Sequence, residues 1–353
     1  MSDGILDEAY ERFARTGPEW GENTLTNHGP MAVEVLVRRG LADGVHRWVD
    51  TYVGKLSELP SVSDRITDES WRDALGDGRR IGDWSAYFVE QMQEHPWREV
   101  LVTWWPRLLP GIVAGATHGV IRVSHAVRTL LRGDESPAAV TELAHGLAFW
   151  AARMRSVPGA AEAAPGRHRR SEGTLEVNDA LDAIPRIPSQ QGTVAVRFGQ
   201  LAELPTWPAS LRSLRTPTSP ADVERQLADL VSGAAARYLT HGHGSPVLLV
   251  HTATAPNAVL HTLPALPQSL WAPSLSSVWA ASAAITAAYA PAQPLPRDEL
   301  PAGGVHADEL MDYALKHSDE HVIKFADTAL DAYAHSHDSD VLAAAQRVGD
   351  LIK

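Results

Sequence analysis

Residues 112–131 read IVAGATHGVIRVSHAVRTLL, an apolar run interrupted by two histidines and two arginines. At about 100° per residue, positions i, i+4 and i+7 share one helical face, so His118, Arg122 and His125 form one polar stripe. Apolar residues occupy most of the remaining surface, which predicts a helix over 112–131 that is buried on all sides. Because buried polar groups are costly without partners, the stripe predicts a polar cavity that holds a metal or an anion.

The composition is that of an ordinary soluble globular protein, with 44% hydrophobic and 21% charged residues among 353. The net charge of −12 is spread along the chain without a basic stripe, which argues against nucleic-acid binding. The chain has no cysteine, so disulfides, thiolate metal sites and cysteine nucleophiles are excluded. Any metal must therefore be bound by histidine, carboxylate or another oxygen ligand.

The chain contains no uninterrupted apolar run of about 18 residues, and its acidic first residues do not resemble a signal peptide. We therefore expect no membrane partner and a cytoplasmic location. The sequence leaves the oligomeric state open.

Helical periodicity dominates the rest of the chain. An amphipathic rhythm predicts a helix over Asp3–Thr16, and Pro30 opens a helix that ends at Gly40. There is no repeat of fixed period and no βαβ alternation. The sequence therefore predicts a mainly α fold, built as a single large multi-helix domain over 1–353.

Two segments interrupt this helical pattern. Residues 156–172 are small and contain Pro and Gly, which predicts a mobile loop. Residues 184–220 hold six prolines, and 193–198 alternate in polarity. This second segment is therefore predicted to be irregular, with a short strand or two.

Two more histidines occupy informative positions. His251 follows an apolar run and lies shortly before Pro256, which deprives the Thr252 carbonyl of its helical donor and bends the helix there. His28 precedes a helix start, where Asn27 can orient it. The alternatives are a core histidine bonded to a nearby carbonyl at 251, and a capping-region histidine at 28.

His321 and Lys324 lie one helical turn apart in an apolar neighbourhood. A buried lysine has a lowered pKa and becomes a nucleophilic amine, which can form a Schiff base or capture carbon dioxide as a carbamate. The alternative is an exposed pair on an amphipathic helix. His317 lies one turn before His321, so either histidine could point inward.

Taken together, these segments resemble the questin oxidase-like family, which includes oxidases of fungal anthraquinone and aflatoxin-type pathways. The resemblance runs from about residue 8 to 335 with the motifs in the family's order. The segments that carry it are Asn27–Met31, Thr117–Arg122 with Ser124–Ala126, His251–Ala258 and His321–Lys324.

The resemblance implies a mononuclear non-haem iron oxygenase that acts on polycyclic aromatic quinones. In at least one branch of the family, four histidines and a carboxylated lysine hold the iron. Carried over to this chain, this implies nitrogen ligands at His28, His118, His251 and His321, and a carbamate ligand at Lys324. Arg122 and His125 then act on substrate or oxygen, although His125 could instead replace a ligand because it shares the stripe of His118.

We therefore expect an Fe(II)- and dioxygen-dependent oxidoreductase of secondary metabolism. It would insert oxygen into a quinone or related polyketide in a Baeyer–Villiger-like reaction, or cleave its ring. Zinc and manganese stay open as metals, and the use of NADPH stays open because no Gly-x-Gly-x-x-Gly fingerprint occurs. Trp104, Trp105 and Trp150 either line an apolar substrate pocket or pack in the core.

Two other classes of function compete with the oxygenase. One is a zinc-dependent hydrolase, in which a histidine-bound metal activates water. The other is a non-catalytic protein whose histidine-lined cavity binds an aromatic ligand. Metal analysis separates the first from the oxygenase, and oxygen uptake separates the second.

Overall fold

A computed structural model describes residues 3–21, 25–163, 173–300 and 306–353, and the fold is mainly α-helical, as the periodicity predicts. The chain divides into two compact units, one of Met1–Arg155 with His261–Pro267 and one of Ser156–Leu260 with Gln268–Lys353. The expectation of one functional domain over 1–353 stays a prediction. None of the described helices is both long and apolar enough to span a membrane.

In the first unit a two-stranded antiparallel pair accompanies eight helices among the described residues. The strands are β1 (Glu19–Trp20) and β2 (Leu25–Thr26). The helices are α1 (Asp3–Ala14), α2 (Gly29–Arg38), α3 (Val45–Val53), α4 (Trp71–Ala74), α5 (Ile81–Glu94), α6 (Trp97–Leu108), α7 (His118–Leu131) and α8 (Pro137–Ala152).

Glycines allow α7 and α8 to pack closely in this unit. A Cβ at Gly119 would lie 2.8 Å from the Trp150 side chain, and one at Gly146 would lie 3.2 Å from Val123. Helix α2 packs on α7, and α1 and α5 pack on α8. At the start of α2, a Cβ at Gly29 would lie 2.3 Å from a Phe13 ring carbon. The side chains of α7 are therefore enclosed by its neighbours.

The second unit is built around α13, α18 and α19, which pack on one another. Its helices are α9 (Ala160–Ala163), α10 (Val177–Asp182), α11 (Val194–Gly199), α12 (Trp207–Leu211), α13 (Pro220–His241), α14 (Pro246–Leu249), α15 (His251–Thr262, which begins in this unit), α16 (Trp271–Tyr289), α17 (Leu310–His317), α18 (Glu320–Ser336) and α19 (Ser339–Leu351).

The alternation at 193–198 forms a helix rather than the predicted strand. Thr193 caps this helix, α11, because its side chain accepts a hydrogen bond from the Val196 N–H at 3.4 Å. No described strand lies beside the segment, and a strand needs such a partner for its backbone groups. The rest of 184–220 includes a further short helix, α12.

The predicted mobile loop at 156–172 lies partly outside the described residues. Within its described part, Val157 is buried and Ala160–Ala163 form the short helix α9. The described part of the loop therefore has local structure.

Candidate metal centre

His28 and His118 lie side by side at the starts of α2 and α7. Their rings are stacked, with centroids 4.3 Å apart and planes inclined by 27°, and both residues are buried. The N–H of His28 donates to the Tyr52 hydroxyl at 2.8 Å, and Asn27 accepts a hydrogen bond from the Gly29 N–H at 3.0 Å. Asn27 therefore orients His28 through the backbone beside it.

A left-handed turn precedes His118. Gly115, Ala116 and Thr117 have φ angles of +53°, +56° and +72°. The left-handed region costs a non-glycine residue about 1–2 kcal/mol. Because of this turn α7 begins at His118, so the prediction of a helix from 112 is wrong for its first six residues. The turn directs the Gly115 carbonyl to His118 Nδ1, a contact of the kind that commonly orients a metal-binding histidine.

His251 is held in a similar way in the second unit. It is the first residue of α15, and its Nδ1 lies 3.2 Å from the Leu248 carbonyl oxygen. Burial holds the pKa of His251 well below its usual value, with smaller contributions from the charges of Lys324 and His321. The imidazole is therefore neutral, as a metal ligand must be, although the same contact suits a core histidine.

Asp319 places His321 at the start of α18. Its carboxylate accepts hydrogen bonds from the N–H groups of His321 at 2.8 Å and Val322 at 3.2 Å. Burial raises the pKa of Asp319, but hydrogen bonding and the charge of His321 outweigh burial and lower it to about 2. His317 instead bonds the Gly349 carbonyl through Nε2 at 3.1 Å, within the packing of α17 and α19.

Lys324 is buried rather than exposed, with 3% of its surface accessible. Burial lowers the pKa of its amine to about 8, against the opposing effect of the Glu320 and Asp319 carboxylates. Among the described residues, no hydrogen bond or ion pair joins the Lys324 amine to another side chain. At pH 7 this pKa leaves about a tenth of the amine neutral, which suits both Schiff-base and carbamate chemistry.

The four predicted histidine ligands fall into two pairs, one in each compact unit. In the first unit the rings of His28 and His118 are stacked, with centroids 4.3 Å apart. In the second unit the ring centroid of His251 lies 6.1 Å from that of His321. Such a nitrogen-rich set without thiolate suits Fe(II), zinc or manganese.

Arg122 is fully buried on α7 and paired with a carboxylate of α8. Its Nε and Nη2 donate to the two carboxylate oxygens of Glu142 at 2.6 and 2.8 Å. Burial raises the pKa of Glu142, while Arg122 acts in the opposite direction. His145, one turn further along α8, has its pKa lowered to about 3 by burial and then by Arg122. The guanidinium is thus charge-compensated within the first unit.

His125 meets a carboxylate from α2. Its Nδ1 lies 2.8 Å from Glu34 Oε2 and 2.8 Å from Arg128 Nη2, and Arg128 also bonds Glu34. Glu34 and Arg128 are both buried, so the cluster of Glu34, His125 and Arg128 is a buried ion pair with an imidazole attached to it.

Sequence reasoning missed Glu34, Arg128 and Glu142. The sequence did mark the two acids. Glu34 is the one charged residue in GPMAVEVLV, and Glu142 is the one in PAAVTELAHGLAFWAA. A carboxylate inside an otherwise apolar helix needs a buried cation as partner. The pattern could thus have revealed the acids, but it could not have paired them with Arg122 and Arg128.

The three tryptophans proposed as pocket walls pack in the core. Trp105 and Trp150 meet edge to face with centroids 5.3 Å apart. Trp104 packs against Trp71 and Trp84 within a larger aromatic cluster. All three are almost fully buried, so core packing, the alternative left open by the sequence, accounts for them.

Comparison with known protein families identifies a match. A family model described as questin oxidase-like matches residues 46–329, which is well over half of the chain. The matched range contains His118, His251, His321 and Lys324, and it begins after His28. No curated protein matches the chain.

Proposed function

The chain belongs to the questin oxidase-like family, and from this membership and its histidine group we propose that it is an Fe(II)-dependent oxygenase. The family points to an oxidoreductase of secondary metabolism. The proposed substrate is a hydroxylated quinone or a related aromatic polyketide, into which oxygen is inserted or whose ring is cleaved. Dioxygen is the co-substrate.

The observation that carries the proposal is the histidine group. The rings of His28 and His118 stack with centroids 4.3 Å apart, and those of His251 and His321 have centroids 6.1 Å apart, in a chain that has no cysteine. One divalent cation can accept ring nitrogens from several imidazoles at once. A hydrogen bond from Nδ1 to a carbonyl, as His118 makes, commonly orients a metal ligand.

We propose His28, His118, His251 and His321 as the nitrogen ligands and Lys324, as a carbamate, for the anionic oxygen ligand. The amine of Lys324 is buried and its pKa is about 8, so a neutral fraction is available to capture carbon dioxide. An ammonium would repel the cation, whereas a carbamate would attract it. When bound, the iron supplies the activation of dioxygen.

Arg122 and His125 are proposed to act on the substrate. The Glu142 carboxylate is bound by Arg122 Nε and Nη2, so the Nη1 edge of the guanidinium is not committed to that pair. We propose that this edge stabilises an anionic oxygen of the substrate. His125, one turn further along α7, is proposed to exchange a proton with it.

Metal analysis of anaerobically purified protein tests the ligand set. We expect about one iron per chain, and His118→Ala and His251→Ala should lose most of it while remaining folded. His317→Ala is the matched control, because His317 bonds the Gly349 carbonyl, and it should keep its metal. Full metal occupancy in both ligand variants would contradict the assignment.

Oxygen uptake with a panel of hydroxyanthraquinones tests the reaction. We expect uptake only when iron and a quinone are both present. Stoichiometric zinc with ester or amide hydrolysis and no oxygen uptake would favour the hydrolase. Quinone binding without metal or oxygen uptake would favour a binding protein.

Lys324 is tested separately by carbon-13 NMR of the metal-loaded protein after exchange with labelled bicarbonate. We expect a carbamate signal that is absent from Lys324→Ala. Added short carboxylates should partly restore metal binding to this variant. An unmodified amine in the loaded protein would contradict the carbamate and leave a histidine-only site.

A further inference from the structure

Helices α2 and α7 meet at two pairs of residues that lie two turns apart. At their starts His28 stacks on His118, and further along Glu34 bonds His125. The spacing is six residues on α2 and seven on α7, so the two helices run side by side in the same direction. The second pair therefore lies at the same interface as the first, with a carboxylate of α2 beside the imidazole of α7.

We infer that Glu34 is a positioning residue that holds His125 in the tautomer of a general base for the substrate hydroxyl. This inference rests on the proposed oxygenase function and deepens it. Glu34 is absent from every motif that carries the family resemblance, and its role follows from its contact with His125 alone.

The geometry around His125 Nδ1 decides the tautomer. Nδ1 is 2.8 Å from both Glu34 Oε2 and Arg128 Nη2, and Arg128 can only donate. If Nδ1 carries the proton, it and Arg128 both donate to Glu34 Oε2, and carboxylate oxygens accept several such bonds. If Nδ1 lacks the proton, its lone pair faces a carboxylate oxygen at hydrogen-bond distance. The first arrangement avoids this opposition of two acceptors, and Arg128 then donates to the carboxylate rather than to Nδ1, so the basic lone pair lies on Nε2.

Arg128 gives the cluster the charge balance that a base requires. Glu34 on its own would favour the protonated imidazole, which cannot accept a proton. With Arg128 bonded to the same carboxylate, a protonated His125 would place two positive charges beside one negative charge in a buried site. The imidazole is therefore held neutral and ready to accept a proton.

The proposed step is a proton transfer without any change of oxidation state. The O–H bond of a substrate phenol breaks, the proton forms an N–H bond at His125 Nε2, and the electron pair stays on the phenolate oxygen. About 10 Å separates His118 from His125 along the axis of α7, so a molecule in contact with both must span two turns. A fused polycyclic quinone meets this requirement better than a single ring.

The main test replaces the buried pair by apolar residues of similar length, Glu34→Met with Arg128→Met. Such replacements of whole pairs are commonly tolerated, unlike removal of one partner. Nitrogen-15 NMR of histidine-labelled, zinc-loaded protein reports which ring nitrogen of His125 is protonated, with His125→Gln used for assignment. We expect a protonated Nδ1 in the wild type and loss of this preference in the double variant.

Turnover is measured with 1,8-dihydroxyanthraquinone by oxygen uptake of the iron-loaded enzyme. We expect kcat to fall about 100-fold in the double variant, the lower range for general-base catalysis, with KM and iron content nearly unchanged. His125→Gln should lower kcat to a similar extent. Combining it with Glu34→Met and Arg128→Met should lower kcat no further. Glu34→Gln keeps an oxygen acceptor and should keep the Nδ1–H tautomer.

Arg12→Gln with Asp50→Asn removes an exposed ion pair of the same unit and serves as the control for all readouts. Protonated Nε2 in the wild type would overturn the inference, as would full turnover in the double variant. The tautomer measurement needs no turnover. A wild type that consumes no oxygen would therefore refute the proposed function, while NMR still decides whether Glu34 holds His125.

Discussion

The two compact units hold their histidines alike but balance buried charge differently. In each, the first residue of a helix is a histidine bonded through Nδ1 to the carbonyl three residues earlier, Gly115 for His118 and Leu248 for His251. Among the described residues of the first unit, the buried guanidinium groups of Arg122 and Arg128 are each paired with a carboxylate. The second buries the amine of Lys324 without an ion pair among the described residues. The two buried guanidinium groups of the first unit are thus charge-compensated, whereas the buried amine of the second unit is not.

The largest effect expected is on stability in the first unit. Glu142→Leu leaves Arg122 buried without its carboxylate and should lower the free energy of unfolding by about 3–5 kcal/mol in urea titrations. Combining it with Arg122→Met should recover most of this loss, since no buried charge then remains. A loss below about 1 kcal/mol in the single variant would show that the first unit does not depend on charge pairing.

In the second unit, removing a buried charge should stabilise the protein rather than destabilise it. Lys324→Met should stabilise the metal-free protein at pH 7 by up to about 3 kcal/mol, since the pKa of Lys324 falls from 10.5 to about 8 on folding. Because the folded-state pKa is the lower one, destabilisation by the charged amine is complete below about pH 8 and disappears as the pH approaches 10.5.

Urea titrations of metal-free protein between pH 6 and about 10.5 measure this difference. The advantage of Lys324→Met should shrink across the upper part of the range. Lys316→Met, at an exposed position on the neighbouring helix α17, is the control for the substitution itself. A destabilised Lys324→Met at pH 7 would mean that the lysine is compensated in the folded protein.

Glycine should relieve the backbone strain in the left-handed turn before His118. Ala116→Gly should raise the free energy of unfolding by about 0.5–1 kcal/mol because glycine adopts positive φ without strain. Metal binding should weaken, because the turn no longer holds the Gly115 carbonyl against His118. Ala126→Gly, inside α7, is the matched control and should lower stability by about 1 kcal/mol. Loss of stability in both variants would argue against strain at 116.

The smallest effect expected concerns the helix that carries His251. Pro256 cannot donate to the Thr252 carbonyl, and the Ser282 hydroxyl donates to it instead at 3.2 Å. Ser282→Ala should therefore cost about 0.5 kcal/mol in urea unfolding. In a Pro256→Ala background, where residue 256 has an N–H, the same change should cost less. Equal costs in both backgrounds would contradict the compensation.

Much of the fold could be predicted from neighbouring residues. The position of Pro30 in the first turn of α2 and the missing helical donor to the Thr252 carbonyl, which Pro256 causes, each depend on a single helical turn of sequence. The segment at 193–198 could not be predicted this way, since whether an alternating pattern becomes a strand depends on whether another strand lies beside it. Positive φ angles are usually predicted from glycine, but here Ala116 and Thr117 adopt them. The observed start of α7 could therefore not be predicted from the sequence.

The same distinction between local sequence and tertiary contacts applies to the candidate site. The sequence by itself determined the helical class, the stripe of His118, Arg122 and His125, and a thiol-free, histidine-rich chemistry, since periodicity and composition are properties of the chain alone. Only the tertiary structure decided that Glu34 meets His125 from 91 residues away and that Glu142 meets Arg122. The reason is physical: a buried charge requires a partner, but helix packing selects which one lies within hydrogen-bond distance.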